Sequence, residues 1–426
     1  MRSKFSLNYS GLLTSLIALA ALCDFLYFLP FVGDISKQAY SLSLMLSLAS
    51  VAMFVFTLIN SGRINLHKVM IAFWMLMTFF WLYPLSLWRL ALYAGLVVIL
   101  MLKKDRQRLA FEKFRTIFCL IILINLLAYP IVSQGMIHSI GSINSSYLGK
   151  QLTGMYYENF GITFVLHGLG NTLQIGNTFL YRMSAWFEEP GNVGTIGALL
   201  LAATGFKMDW KGKVLLVGGV LSFSLAFFVI VILYTAIKKP KAFLYLMGVL
   251  IFTIWYFQDN EFVSSKLIDR ISISDQGVSG DNRTVAAFDK EFKEFSETPG
   301  VWFGHDEEQQ TSQLEYFSSS WKNIVWDYGI VGLVMLISIF VLVFLHELRE
   351  SPGKRFLRMK QLLPFLLVFL LNIYQRPYVL TLSYFLIFVG AMIWEISEIA
   401  VGSAGAKNEL PSAVVAGHQR RLLRNL

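Results

Sequence analysis

Residues 182–206 read Arg182-Met-Ser-Ala-Trp-Phe-Glu-Glu-Pro-Gly-Asn-Val-Gly194, followed by the apolar run Thr195-Ile-Gly-Ala-Leu-Leu-Leu-Ala-Ala-Thr-Gly-Phe206. An arginine and two carboxylates, Glu188 and Glu189, therefore stand directly before an apolar helix whose first turn is marked by Pro190. Ionisable groups at the edge of a membrane helix are energetically costly, and for that reason they are functional candidates. The stretch predicts a membrane helix with a site at its mouth.

The composition indicates that the whole chain is a membrane protein. Of its 426 residues, 56% are hydrophobic and only 15% are charged. Several apolar runs reach the roughly 20 residues that cross a bilayer. We expect an all-α polytopic membrane fold in which residues 1–400 form one transmembrane domain. The apolar runs lie at 10–32, 40–60, 69–83, 85–102, 117–133, 192–206, 214–237, 242–257, 324–345, 362–374 and 379–394.

The net charge of +9 reflects membrane topology and does not indicate a nucleic-acid partner. Most of the 36 Lys and Arg residues fall in short segments between apolar runs, namely 1–9, 61–68, 103–116, 207–213, 238–241, 346–360 and 400–426. This bias marks the cytoplasmic side of a bilayer. It predicts about 12 membrane crossings, both termini inside, and two large periplasmic loops at 134–190 and 258–322. The small and basic residues of 401–426 predict a disordered cytoplasmic tail.

The apolar run 214–237 must return to the side from which it starts, because a single crossing would export the basic segment 238–241. Its roughly 24 residues are too few to span a bilayer twice at 1.5 Å per residue. Leu221-Ser222-Phe223-Ser224 stands in the middle of the run. We therefore predict two short helices, or a broken re-entrant hairpin, that turn at these serines and are buried in protein.

The two outer loops differ in composition. Glycines and bulky apolar residues in 134–190 predict a folded layer at the membrane surface. In 258–322, Val285, Phe288, Phe292 and Phe295 recur at helical spacing and predict an amphipathic external helix.

Three cations in or beside these loops are candidates for binding a lipid-linked pyrophosphate: Arg182, Arg283 at the start of the external helix, and Lys322 where the second loop re-enters the membrane. A guanidinium offers a rigid fork of donors that suits phosphate. Each cation also has a simpler interpretation. Arg182 and Lys322 could snorkel to lipid headgroups, and Arg283 could be a solvated loop residue. Arg270, nearer the preceding span, is better explained as an interface anchor.

Glu189 and His305 are the candidates for a catalytic general base. A carboxylate that follows Trp186 and Phe187 is partly screened from water, and a histidine titrates near neutral pH. Either group could take the proton of a sugar hydroxyl. The alternative for Glu189 is that an acidic residue stabilises the start of a helix, and this is the better explanation of Glu188. The alternative for His305 is a loop histidine without a catalytic role.

The sequence contains no Gly-rich phosphate loop, no Cys-x-x-Cys and no Asp-x-Asp. A divalent metal held by paired carboxylates therefore has no obvious site, and we expect neither a metal nor a cofactor. If the substrate carries a pyrophosphate, arginines must neutralise it.

The order of these pieces resembles the bacterial O-antigen polymerase and ligase superfamily, and the Wzy-type polymerases in particular. The resemblance covers about 180–335. It rests on Arg182, Glu189-Pro190-Gly191, the run 221–224, Arg283, Pro299-Gly300 with Gly304, and Asp327-Tyr328-Gly329-Ile330-Val331-Gly332.

The resemblance implies a metal-independent glycosyltransferase of the bacterial inner membrane whose active site faces the periplasm. It would move a growing glycan from undecaprenyl pyrophosphate onto a new lipid-linked repeat unit, with Arg182 and Arg283 as the paired outer-loop arginines. A chain-length regulator and a flippase are the protein partners that such an activity implies.

Two other functions stay open. A ligase would transfer the finished glycan to a lipid A core, and its usual His-Asn pair reads Lys322-Asn323 here, which favours a polymerase. A polysaccharide or lipid transporter would do no chemistry. Transporters concentrate polar sites at the membrane midplane, whereas the candidate ionisable groups of this chain lie in its outer loops.

The charge pattern predicts that cysteines placed at Ser145 and Ser318 react with a membrane-impermeant maleimide from outside the membrane, whereas a cysteine at Ser351 does not. Labelling of intact spheroplasts measures this, and lysed spheroplasts control for thiol reactivity. Outside labelling at Ser351 would contradict the even number of crossings assigned to 214–237.

Overall fold

The computed structural model describes residues 3–61, 65–82, 87–144, 154–168, 171–175, 178–256, 273–274, 277–278, 286–305, 320–350 and 355–394. These residues are mostly helical. The helices are α1 (Ser3–Cys23), α2 (Ser36–Ser61), α3 (Leu66–Leu82), α4 (Leu87–Met101), α5 (Lys104–Ser133), α6 (Pro190–Ala203), α7 (Trp210–Leu221), α8 (Leu225–Lys238), α9 (Pro240–Tyr256), α10 (Ala286–Ser296), α11 (Trp321–Arg349), α12 (Arg355–Gln375) and α13 (Leu382–Trp394). A 3₁₀ turn covers Pro299–Trp302.

The helices have the length and apolar character of a membrane protein. In the described part of the chain, four of them are long and apolar enough to cross a bilayer: Ser36–Leu58, Lys104–Ser133, Trp321–Arg349 and Arg355–Tyr374. Shorter apolar helices accompany them, α6, α8 and α13 among others. The predicted helical membrane protein is confirmed at this level, and the number of about 12 crossings stays a prediction.

The central element is α6, of which every residue except Asn192 is buried. A helix that is apolar on all sides is stable only when protein surrounds it on all sides. The helix packs against α7, α8 and α12. Because its position depends on these neighbours, its first turn is held firmly at one end of the bundle, which we call the Glu189 end.

The expectation of an all-α fold is wrong for the predicted loop 134–190, which forms antiparallel strands. Strands β3 (Gly141–Asn144), β4 (Tyr156–Asn159) and β5 (Phe164–His167) make one sheet, and β6 (Thr172–Ile175) pairs with β7 (Thr178–Tyr181). Two-residue strands pair at β1 (Phe28–Leu29) with β2 (Gly33–Asp34), and at β8 (Ile273–Ser274) with β9 (Gly277–Val278). Glycines with positive φ at 154, 161 and 168 flank β4 and β5 and permit the tight turns. The predicted folded layer is therefore present as two small sheets, and its position at the membrane surface stays a prediction. We call strands β1 to β7 the strand layer.

The predicted break in 214–237 is confirmed. Helices α7 and α8 end and begin on either side of 222–224, where Ser222 and Ser224 are buried and Phe223 has a positive φ of 46°. The far end of α8 returns to the end of α6, because Tyr234 stacks on Phe206 with ring centroids 5.3 Å apart. The two helices therefore form the predicted hairpin.

The other end of the bundle, which we call the Lys207 end, carries a network of ion pairs. Arg115 lies 2.8 Å from Asp209, and Lys211 lies 2.7 Å from Glu112. Burial opposes ionisation of Asp209, but the N–H of Gly212 and the Arg115 guanidinium hold its pKa below the usual range. Asp209 also caps the start of α7 by accepting from the N–H of Gly212 at 2.8 Å.

The helix predicted in 258–322 is confirmed as α10, whose Phe288, Phe292 and Phe295 pack on the start of α11. Its position outside the membrane stays a prediction. Helix α11 bends at Gly329, which has φ 72° and ψ 178°. A Cβ there would lie 2.2 Å from the carbonyl oxygen of Trp302. Only glycine therefore lets the 3₁₀ turn rest against this kink.

We predict that Gly329→Ala lowers the unfolding temperature of the purified protein, because the substitution combines backbone strain of about 1 kcal/mol or more with a clash against the 3₁₀ turn. Gly248→Ala in α9 is the matched control, since no atom lies within 4 Å of its added Cβ. The control should leave stability unchanged or raise it slightly. Equal melting of the two variants would show that the kink does not hold the turn.

Candidate functional site

The first turn of α6 carries an ion pair at the Glu189 end. Glu189 is the N-cap of the helix, but its side chain makes no capping bond. Its Oε2 lies 3.0 Å from Nη2 of Arg376, in the connection between α12 and α13. The two side chains are 32% and 17% exposed, so water screens the pair less than it screens a surface ion pair.

The sequence Pro190-Gly191-Asn192 lets Arg376 reach this turn. Nη1 of Arg376 donates a hydrogen bond to Oδ1 of Asn192. A Cβ at Gly191 would lie 2.4 Å from Nη2 of Arg376, so a larger residue would displace the guanidinium. The side chains of Glu189 and Asn192, together with the lack of a side chain at Gly191, therefore orient Arg376.

Arg182 follows β7 and contacts the tip of the α7–α8 hairpin. Its Nε donates to the carbonyl of Ser222 at 3.1 Å, and its Nη1 donates to Oδ1 of Asn171 at 3.2 Å. The hairpin tip packs on α6, since a Cβ at Gly194 would lie 2.7 Å from Oγ of Ser222. Gly191 and Gly194 are neighbours on one helical face. Arg182, through Ser222, and Arg376 are therefore both arranged around the first turn of α6.

The strand layer holds the residues that lead into this turn. The carbonyl of Trp186 accepts hydrogen bonds from the N–H groups of Tyr27 and Phe28 at 3.0 and 2.9 Å. The hydroxyl of Tyr157 donates to the carbonyl of Glu188. The carbonyl of Glu188 thus anchors the chain to β4, and the helix-start explanation of its side chain stays a prediction.

Asp24 adds a further carboxyl group at this end, directly after α1. Its Oδ2 accepts from Oγ of Ser383 at 3.5 Å at the start of α13. The carboxyl group therefore ties α1 to α13.

His305 lies at the same end of the bundle, but beside α10 rather than α6. Its ring is 4.1 Å from the ring of Phe295 and 4.1 Å from that of Trp326, measured between centroids. Its Nδ1 lies 3.3 Å from the carbonyl of Trp326. Ring contacts from Phe292 to Trp321 and from Trp321 to Tyr374 lead back to the connection that carries Arg376. The structure thus places Glu189 and His305 at the same end of the bundle, beside different helices.

Lys322, in the first turn of α11, contacts α10. Its Nζ lies 2.7 Å from Oδ1 of Asp289 and 5.8 Å from the ring centroid of Phe292. Phosphate binding by this lysine stays a prediction and would require it to leave Asp289. Arg283 and Arg270 lie outside the described residues.

Arg376 is the site residue that sequence reasoning missed. Its signal was present, because Arg376-Pro377 stands in the short polar gap between the apolar runs 362–374 and 379–394. An arginine in such a gap has the same simple interpretation, snorkelling, that was weighed for Arg182. Only the packing of α12 against α6 reveals its carboxylate partner.

Within the described ranges, no three His, Cys, Asp or Glu side chains are grouped so that they could hold a metal ion. No protein-family model matches the chain, and no curated protein or solved structure matches it either. Function must therefore be inferred from the chain's own residues.

We predict that Gly191→Ala mimics the loss of Arg376, because the added methyl group displaces the guanidinium from Glu189. Arg376→Ala should lower the free energy of unfolding by about 1–3 kcal/mol, the usual cost of a partner lost from a charged group. In the Gly191→Ala background, Arg376→Ala should lower the free energy of unfolding by only a little more.

Thermal unfolding of the single and double variants measures this coupling. Gly197→Ala is the control on the same helix, since its added Cβ makes only an ordinary contact of 3.6 Å with the carbonyl of Leu215. Additive effects of Gly191→Ala and Arg376→Ala would contradict the arrangement.

Proposed function

We propose that this protein is a surface-polysaccharide polymerase of the O-antigen type. It transfers the growing glycan from undecaprenyl pyrophosphate onto a new lipid-linked repeat unit. The observation that supports this most is the arrangement of Glu189, Arg376 and Arg182 around the first turn of α6, at one end of an apolar bundle. A lipid-linked substrate presents its phosphates and sugars at such a boundary between apolar and polar surroundings.

The arginines would bind the leaving group. In the transfer, the bond between the donor's anomeric carbon and the pyrophosphate oxygen breaks, and the pyrophosphate leaves with the electron pair. Guanidinium groups form strong, bidentate hydrogen bonds with phosphate oxygens. Arg182 and Arg376 would supply them near the face of α6 that carries Gly191 and Gly194, with Arg283 as a third cation from the outer loop. No metal or cofactor is proposed.

Glu189 would be the general base. The acceptor hydroxyl attacks the anomeric carbon and gives its proton to the carboxylate as the new glycosidic bond forms. The ion pair keeps the carboxylate turned away from the helix backbone and toward the connection after α12. Pyrophosphate that accepts hydrogen bonds from Arg376 would weaken the Arg376–Glu189 ion pair. An oxygen of Glu189 would then be available to the acceptor hydroxyl. His305 is the second candidate for the base.

The proposal places the protein in the bacterial inner membrane with the Glu189 end toward the periplasm and the Lys207 end toward the cytoplasm. The positive charge of the Lys207 end, with Lys207, Lys211 and Lys213, supports this orientation. A flippase that delivers lipid-linked repeats and a chain-length regulator are the proposed partners.

We predict that Arg182→Lys, Arg376→Lys and Glu189→Gln each leave mainly single-repeat glycan when they replace the wild-type chain in its host strain. Lysine keeps the charge but loses the bidentate geometry. Loss of a general base typically costs about 10²–10⁴-fold in rate. The measurement is the glycan ladder on a gel, at matched protein level and unfolding temperature.

Arg108→Lys at the Lys207 end is the control, since Arg108 lies 5.0 Å from the ring centroid of Trp394, far in the fold from α6's first turn. It should give a normal ladder. Long polymer from both lysine variants of the site would mean that these arginines do not bind the donor. Lipid-linked repeats that accumulate on the cytoplasmic side would instead identify a transporter.

A further inference from the structure

Asn171 binds Arg182 through both its main chain and its side chain. It lies directly before β6 and is 4% exposed. The N–H of Arg182 donates to the carbonyl of Asn171 at 2.9 Å, and Nη1 of Arg182 donates to Oδ1 of Asn171 at 3.2 Å. One buried residue therefore contacts Arg182 at its backbone and at its guanidinium.

The carbonyl of Gly168 in turn holds the amide of Asn171. It accepts from Nδ2 of Asn171 at 2.7 Å and from the N–H of the same residue at 3.1 Å. Gly168 has a φ of 91°, in the region that favours glycine, and a Cβ there would lie 3.1 Å from Cγ of Met155. The position of this carbonyl, and with it the side chain of Asn171, therefore depends on glycine at 168.

These bonds require an asparagine at position 171. A guanidinium has only donors and a carbonyl only accepts, so the amide oxygen must face Arg182 and the amide nitrogen must face Gly168. Aspartate would offer an acceptor to Arg182 but no donor to Gly168, and it would add a negative charge. Alanine would offer neither bond. Asparagine thus holds Arg182 without adding a charge beside it.

Two bonds at different nitrogens fix the plane of the Arg182 guanidinium. Nη1 donates to Asn171, and Nε donates to the carbonyl of Ser222 at 3.1 Å. The group is planar and rigid, so two such bonds determine the directions of its other N–H donors. Both of these acceptors are uncharged. A carboxylate at position 171 would instead form a strong charge-assisted bond and compete with an anionic ligand for the guanidinium.

We propose that Asn171 is a positioning residue for Arg182. It fixes the plane in which the guanidinium binds a phosphate ligand, and its uncharged amide does not compete with that ligand. The identity of the ligand, the pyrophosphate of the lipid-linked donor, rests on the proposed polymerase function. The orienting role rests on the bonds from Arg182 to Asn171 and from Asn171 to Gly168.

The test is calorimetric titration of the purified full-length protein with inorganic pyrophosphate, with the unfolding temperature of each sample measured alongside. Asn171→Ala removes both side-chain bonds and should weaken binding by about fivefold, the typical effect of one hydrogen bond. Asn171→Asp keeps an acceptor for Arg182 but adds a competing charge, so it should weaken binding by at least about tenfold. A purely structural role predicts the opposite order, since aspartate preserves more of the contact than alanine.

Asn159→Ala is the matched control. Asn159 is another buried asparagine of the strand layer, and its Oδ1 accepts from the N–H of Gly161 at 2.8 Å. Its replacement should lower the unfolding temperature and leave the pyrophosphate affinity unchanged. Stability and affinity would thus change together at position 171 but separately at position 159.

Gly168→Ala is a second variant that leaves Asn171 in place. A side chain is strained at this φ and moves the carbonyl that holds the amide, so pyrophosphate binding should weaken as it does in Asn171→Ala. Gly135→Ala, at a φ of 69° and with no atom within 4 Å of its added Cβ, should leave binding unchanged.

Wild-type affinity in both variants of residue 171, or tighter binding by the aspartate variant than by the alanine variant, would overturn the proposal. Absence of pyrophosphate binding by the wild-type chain would also overturn it. Titration needs no glycan transfer. The expected order of affinities without polymer in cells would therefore refute only the polymerase, and a normal glycan ladder with an affinity that ignores residue 171 would refute only the role of Asn171.

Discussion

Pairing of the backbone groups at the tip of the α7–α8 hairpin is the constraint on which the Glu189 end depends. An interrupted helix inside an apolar bundle leaves carbonyl groups that need partners from other parts of the protein. The N–H of Met183 donates to the carbonyl of Leu221 at 3.0 Å, and the side chain of Arg182 donates to that of Ser222. Arg182 and Met183, which follow β7, therefore satisfy the carbonyl groups at the hairpin tip.

That closure determines where α6 begins. The hairpin tip packs on Gly194, and the strand layer holds Trp186 and Glu188 by their carbonyl groups. The chain between these two supports is only a few residues long, so Pro190 and the N-cap Glu189 have little freedom. Arg376 completes the turn from α12, and Gly191 leaves it the room to do so. A charged site can then exist beside a helix that is otherwise wholly apolar.

Several features of the fold could be predicted from the sequence because they follow from local pattern. The parity of basic segments and the length of 214–237 predicted two short helices or a hairpin that turn at Ser222 and Ser224, and the helical spacing of phenylalanines predicted α10. The strands of 134–190 could not be predicted in the same way. Each has only four residues, and short apolar segments between glycines do not distinguish a strand from a loop.

The candidate site, too, was predictable only in part from the sequence. The sequence by itself determined that Arg182 and Glu189 stand at the mouth of an apolar helix, because residue order alone places charges next to an apolar run. Only the tertiary structure decided that Glu189 pairs with Arg376, 187 positions later, and that Arg182 binds the hairpin tip. The physical reason is that an ion pair depends on distance in space, and distances across a bundle are set by how helices pack rather than by the spacing of residues along the chain.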